Sequence, residues 1–168
     1  MTTPDSASGI LISALDLPAI GRFADQLVSQ FPDTLVIGLV GTLGAGKTTL
    51  VQSIAAAAKI DVAEVTSPTF TLLQTHRGTL TLHHLDAYRL ADEDEFLELG
   101  VDELFEQPGA WTLVEWADRI ADVMPTETLW ITIELTSDDA RRDLRLTCDD
   151  DATREKITAV ARQLGADA

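Results

Sequence analysis

The apolar and polar positions divide the chain into short elements. A largely apolar run over residues 10–15 predicts a strand. Over residues 18–30, Ile20, Phe23, Ala24, Leu27 and Val28 recur at helical spacing, and Pro18 suits a first helical turn. Residues 35–40 read Leu-Val-Ile-Gly-Leu-Val. So short and β-branched a run predicts a strand buried on both faces, as in a parallel α/β sheet. A glycine-rich loop follows, then a predicted helix over residues 47–58 carrying Leu50, Val51, Ile54 and four alanines. The βα rhythm breaks next. Residues 69–76 and 79–85, rich in Thr and Leu, flank Arg77-Gly78, a pattern that predicts a hairpin and hence an antiparallel pair. Acidic helical pieces are predicted over 92–99 and 101–105, and strands over 111–115, 129–135 and 144–148, the last two joined by a turn at Ser137-Asp138-Asp139. Ile157, Val160, Ala161 and Leu164 mark a closing helix over 153–165, entered through Asp149-Asp150-Asp151.

With no repeat and no low-complexity linker, 168 residues predict a single α/β domain over 1–168. Its sheet is expected to be mixed, with helices on both faces and an antiparallel portion. Residues 1–9, small and polar, are expected to be a disordered end.

Charge narrows the function. The chain has 28 Asp plus Glu against 12 Lys plus Arg, a formal net charge of −16. Such a surface argues against a direct grip on nucleic acid or on an anionic membrane. The lone Cys148 excludes an intrachain disulfide. Neither a signal peptide nor an apolar run of the ~20 residues needed to span a bilayer is legible, so the expected location is the cytoplasm.

The chemistry concentrates at Gly41-Thr-Leu-Gly-Ala-Gly-Lys-Thr48, a full match to G-x-x-x-x-G-K-[ST] between a predicted buried strand and a helix. Glycines allow a tight turn whose N–H groups converge on phosphate oxygens, and the helix beginning near Lys47 adds its positive end. Lys47 is expected to reach the β- and γ-phosphates, and Thr48 to offer a hydroxyl to Mg²⁺. The chain contains no asparagine, so the Asn-Lys-x-Asp segment that reads guanine is absent and ATP is the expected nucleotide. The Asn of a protein-kinase catalytic loop is absent with it.

Such a site also needs a carboxylate at the end of a neighbouring strand. Asp86 ends Leu82-His-His-Leu-Asp86, and Glu115 ends Trp111-Thr-Leu-Val-Glu115. Which of them meets the metal is open at this level. His84 shares a strand face with Asp86, a spacing that fits a structural histidine better than half of a metal pair. Arg141, Arg142 and Arg145 fit either a phosphate clamp or, more simply, a solvated turn and strand edge.

Several motifs then line up in one order. The phosphate loop is followed by Ser67-Pro68-Thr69-Phe70, by His84-Leu-Asp86-Ala-Tyr88-Arg89-Leu90 and by Val114-Glu115-Trp116. Over roughly residues 10–148 this set resembles the TsaE (YjeE) family of small bacterial ATPases. The resemblance implies slow Mg²⁺-dependent hydrolysis of ATP in the pathway that installs threonylcarbamoyl on adenosine 37 of tRNA. It implies association with the TsaB–TsaD heterodimer, whose turnover the ATPase supports, with tRNA met only through those partners. It implies that Gly41, Gly44, Ala45, Gly46, Lys47, Thr48, Thr49 and Arg142 bind nucleotide. Thr48 and Glu115 would hold Mg²⁺, and Asp86 would assist metal or water positioning, so that Lys47, Asp86 and Glu115 form the catalytic set. Ser67 to Phe70 would be a switch-like loop near the γ-phosphate, and Trp116 would lie near the nucleotide or a partner surface. Pro68 restricts Ser67 to extended backbone, and Thr66, Ser67 and Thr69 supply three hydroxyls, which suits a segment that orders on a γ-phosphate. Thr42 stands where many members carry an acid, and Leu17 where they carry Thr. Two other readings use the same loop: a small-molecule phosphotransferase, and a nucleotide-dependent interaction module with incidental hydrolysis.

Overall fold

The computed structural model describes residues 9–165, and Met1 to Ser8 of the predicted disordered end lie outside them. Along the chain run β1 (Ile10–Leu15), α1 (Leu17–Gln30), β2 (Leu35–Val40), α2 (Lys47–Ala57), β3 (Leu73–Arg77), β4 (Thr81–Asp86), α3 (Glu93–Leu97), α4 (Val101–Phe105), β5 (Ala110–Glu115), β6 (Leu129–Leu135), β7 (Arg142–Thr147) and α5 (Asp151–Gln163). The strands form one sheet in the order β1-β7-β6-β2-β5-β4-β3. The all-apolar β2 occupies its middle, parallel to both neighbours, β5 and β6. β4 extends the parallel portion beside β5. Antiparallel pairs close both edges, β3 on β4 at one side and β7 with β1 at the other.

Alternation along the strands sends side chains to two separate cores. Leu35, Ile37 and Leu39 of β2 pack with Phe23 and Leu27 of α1, Leu50 and Ile54 of α2, and Ile157 and Val160 of α5. Val36 faces the other way, among Phe96 of α3, Val101 and Phe105 of α4, and Trp130. The architecture is therefore a mixed α/β sheet with helices on both faces and antiparallel portions, two rather than one. Trp111 is fully buried, and its indole N–H donates to the Pro32 carbonyl at 2.8 Å, so no polar atom of the ring is stranded.

Several boundaries differ from the sequence pattern, each for a visible reason. Residues 69–72 are a turn rather than the start of β3, because Leu72 adopts a left-handed φ of 64° and its amide bonds back to Pro68. Arg77 belongs to the ladder, paired with Thr81, and the hairpin turns at residues 78–80. β7 begins at Arg142 and ends at Thr147, since Arg142 and Asp143 pair with Leu135 and Glu134. The closing helix spans Asp151–Gln163 rather than 153–165, because Asp150 caps it by accepting from the Thr153 amide at 2.8 Å. Short 3-10 turns at Val62–Glu64 and Ala117–Val123 carry no period that the sequence displays.

The hairpin tip also anchors the helix that follows the phosphate loop. The Thr79 amide and hydroxyl both donate to the Ala58 carbonyl just past α2, at 2.7 and 3.1 Å. Gly78 permits this approach: a Cβ there would stand 2.1 Å from that same oxygen. Gly78→Ala is therefore expected to destabilise the protein by about 1–3 kcal/mol, read as a lower urea midpoint. An unchanged midpoint would show that the hairpin tip is free to shift.

Candidate nucleotide site

The carboxyl ends of β2, β4 and β5 carry the site. The loop after β2 enters α2 through Gly46, whose left-handed φ of 109° suits glycine. α1 and α5 are capped by carboxylates, Asp16 accepting from Ala19 N and Asp150 from Thr153 N. α2 has no side-chain cap, so its first-turn N–H groups are left for an anion from outside the helix.

Lys47, the first residue of α2, curls back over the loop. Its Nζ donates to the carbonyls of Gly41 at 2.7 Å and Thr42 at 3.0 Å, and stands 3.8 Å from the centre of a Trp116 ring. Burial pulls the ammonium below the usual lysine range, while Glu115, Asp118 and Asp86 oppose that shift. Trp116 itself takes a left-handed φ of 58°, a costly conformation for a bulky residue. That twist re-aims the chain immediately after β5, with the indole over Lys47 and against Tyr88 at 4.9 Å between ring centres.

The two carboxylates sit side by side, since Asp86 and Glu115 are register partners at the ends of β4 and β5. Their surroundings differ. Glu115 Oε1 accepts from the Thr48 hydroxyl at 2.8 Å and from His84 Nε2 at 2.8 Å, and both Glu115 and His84 are buried. Asp86 instead gathers the segment after α2. Its Oδ2 accepts from Ser67 Oγ at 3.2 Å and Thr69 Oγ1 at 3.0 Å, and its Oδ1 from the Tyr88 amide at 2.8 Å. Phe70, at the exposed end of that segment, stacks under the Arg89 guanidinium at 4.2 Å. His84 thus pairs with Glu115 on the next strand and not with Asp86, and no group of three or more His, Cys, Asp or Glu among the described residues is placed to hold a metal by itself.

Arg142 lies on the other flank of the loop. Its Nε donates to the Ala45 carbonyl at 2.8 Å and its Nη1 to Asp139 O and Arg141 O, so it braces the loop and the β6–β7 turn together. Arg141 pairs with Asp138 and Arg145 with Glu134, which leaves the clamp of three arginines without the shared target it would need. Beside Arg142 opens a cleft of about 120 Å³ lined by Leu17, Ile20, Thr49, Ile133 and Ala140. The sequence did not reveal this cleft, because its walls come from α1, α2 and the β6–β7 hairpin. A larger cavity, of about 560 Å³ between Pro32, Phe105 and Met124, lies at the start of β2, at the far end of the sheet from the loop.

A strand–glycine loop–helix unit, an uncapped helix start, a buried lysine and a carboxylate on the adjacent parallel strand define a nucleotide-binding protein of the P-loop class. The sequence model of the family described as "Threonylcarbamoyl adenosine biosynthesis protein TsaE" matches residues 16–144. A relative in Treponema pallidum, named tRNA threonylcarbamoyladenosine biosynthesis protein TsaE, is 41% identical over 77% of this chain and 92% of its own length. The Bacillus subtilis protein of the same name is 45% identical over 63% of this chain and 65% of its own. The crystal structure of Bacillus subtilis YdiB superposes with a TM-score of 0.74 at 28% identity, covering 93% of this chain and 96% of that one. The chain belongs to the TsaE family. Family and fold together support an ATPase-like role. No helix among the described residues is long and apolar enough to cross a membrane.

Proposed function

We propose that this protein binds Mg²⁺ and ATP on the Gly41–Thr48 loop, hydrolyses the ATP, and serves tRNA threonylcarbamoyladenosine biosynthesis at position 37 through the TsaB–TsaD heterodimer. The observation that carries this reading is the contact of the Thr48 hydroxyl with the Glu115 carboxylate, 2.8 Å apart at the entry of the uncapped α2. The donor set fits the metal. Mg²⁺ takes oxygen ligands and is ordinarily held by one or two protein groups plus water and substrate phosphates, and a hydroxyl with a carboxylate is such a pair. When bound, Mg²⁺ supplies neutralisation of charge on the β- and γ-phosphates.

The chain's own groups do the positioning. Loop amides from Gly41, Gly44, Ala45 and Gly46, with the first turn of α2, cradle the phosphates. Lys47 exchanges the carbonyls of Gly41 and Thr42 for phosphate oxygens. Asp86 accepts from the Ser67 and Thr69 hydroxyls and so fixes the switch-like segment, Ser67 to Phe70, and it would also assist metal or water positioning. Arg142 and Thr49 border the cleft beside the loop, whose apolar walls suit an adenine ring. Trp116, packed over Lys47 and against Tyr88, would lie near the nucleotide or a partner surface.

The partner reading rests on charge as well as family. With a net charge of −16, this chain has no basic field to hold tRNA, so the RNA belongs on its partners. Reconstituting tRNA modification from TsaB, TsaC and TsaD is the test. Multiple-turnover modification is expected to require this protein and ATP. Modification that runs equally without it would overturn the proposal.

A further inference from the structure

The mechanism just proposed leaves one fully buried polar side chain without a task. His84 is 0% exposed, and its Nε2 lies 2.8 Å from Glu115 Oε1. A carboxylate accepts, so Nε2 carries the donated proton. Nδ1 is buried and has no hydrogen-bond partner. A second stranded atom sits on the neighbouring strand, Oε1 of Gln74, also buried and also without a partner. Gln74 and His84 are directly opposed in the β3–β4 ladder, so their side chains share one face. The Gln74 amide nitrogen meanwhile makes only a long contact, 3.3 Å, with the hydroxyl of Thr66.

Gln74 flanks the imidazole from the adjacent strand without bonding to it, so the contact of Nε2 with Glu115 is the polar contact that holds His84. We propose that His84 is a positioning residue for the metal-facing carboxylate. The imidazole ties Glu115, and through it the Thr48 hydroxyl, into one hydrogen-bonded group. The physical need is plain. A carboxylate ending a strand can rotate, and a buried imidazole donor fixes one oxygen while the Thr48 hydroxyl fixes the same oxygen from the other side. Groups that orient a metal-binding side chain in this way commonly change metal affinity 10–100-fold when removed. The inference rests on the proposed Mg²⁺ site, and it adds a residue that the phosphate-loop pattern does not include.

The test measures binding, not turnover. ATP affinity is titrated against Mg²⁺ concentration for the wild-type protein and for His84→Gln, His84→Asn and His84→Leu, with ATP binding in EDTA and thermal melting as controls. Glutamine places an N–H near the position of Nε2, whereas the shorter asparagine does not reach Glu115. The Mg²⁺ midpoint is expected to rise by about 10–100-fold in His84→Leu and His84→Asn and to stay within about threefold of wild type in His84→Gln, with metal-free ATP binding unchanged throughout. If His84→Leu does not fold, the Asn and Gln variants decide, since both keep a polar amide. Equal midpoints for Asn and Gln, or a wild-type midpoint in a folded His84→Leu, overturn the role of His84. A wild-type protein whose ATP binding ignores Mg²⁺ overturns the metal site itself, and this inference with it.

Discussion

Lys47→Ala is expected to abolish ATP turnover, by at least about 100-fold, in a protein that still folds. The size of the effect follows from the loss of a charge aimed at developing phosphate charge, in a site where nothing replaces it. The chain has only three lysines, Lys47, Lys59 and Lys156, and an acidic surface that supplies no background attraction for an anion. The fold should survive because the ammonium holds the structure through no more than two hydrogen bonds to loop carbonyls and a stack on Trp116. Burial already works against the charged lysine, so its removal also relieves a desolvation cost. Phosphate release and thermal melting together check this. Near-wild-type release would mean that the loop amides and the end of α2 suffice.

Glu115→Ala is the second large effect. Turnover is expected to fall by about 100-fold or more, because the Thr48 hydroxyl and the proposed metal lose their carboxylate. Unlike the lysine variant, this one also costs stability. It strands the Nε2–H donor of fully buried His84, a loss of about 1–3 kcal/mol. Glu115→Gln separates the two consequences. Its amide oxygen still accepts a hydrogen bond, so melting should recover while turnover stays low. Wild-type phosphate release by the alanine variant would remove Glu115 from the metal site.

The central features were legible because their causes are local. Residues 35–40 are apolar without interruption and are followed by glycine, so β2 could be nothing but a buried strand ending at a loop. The phosphate loop needs glycines at fixed offsets, and those are visible in one chain. What escaped depends on contacts between distant segments. Residues 69–72 look like strand by composition, yet Asp86, far along the chain, draws Ser67 and Thr69 into a turn. His84 alternates with Asp86 on one strand, and that period says nothing of Glu115 on the strand beside it. Arg142 reads as a solvated turn residue until the fold brings the Ala45 carbonyl to it. The acidic stretch over residues 92–106 contains eight acids and neither Lys nor Arg, and it resolves into two short helices that each bury phenylalanine, Phe96 and Phe105.

The strand order has a consequence for how the protein comes into being. β2, which launches the phosphate loop, is flanked by strands that begin at Ala110 and Leu129, and β1 pairs with β7 through Ile10 and Leu146. Nearly every pairing that shapes the loop therefore spans a long stretch of chain, and such closures are slow. During synthesis the glycine loop emerges early but has no sheet to stand on until residues near 135 are available. Capacity to bind a nucleotide should accordingly arrive late and all at once, rather than growing with chain length. Until then the nascent chain exposes an apolar β2 with both edges unpaired, the interval in which it is most open to wrong partners.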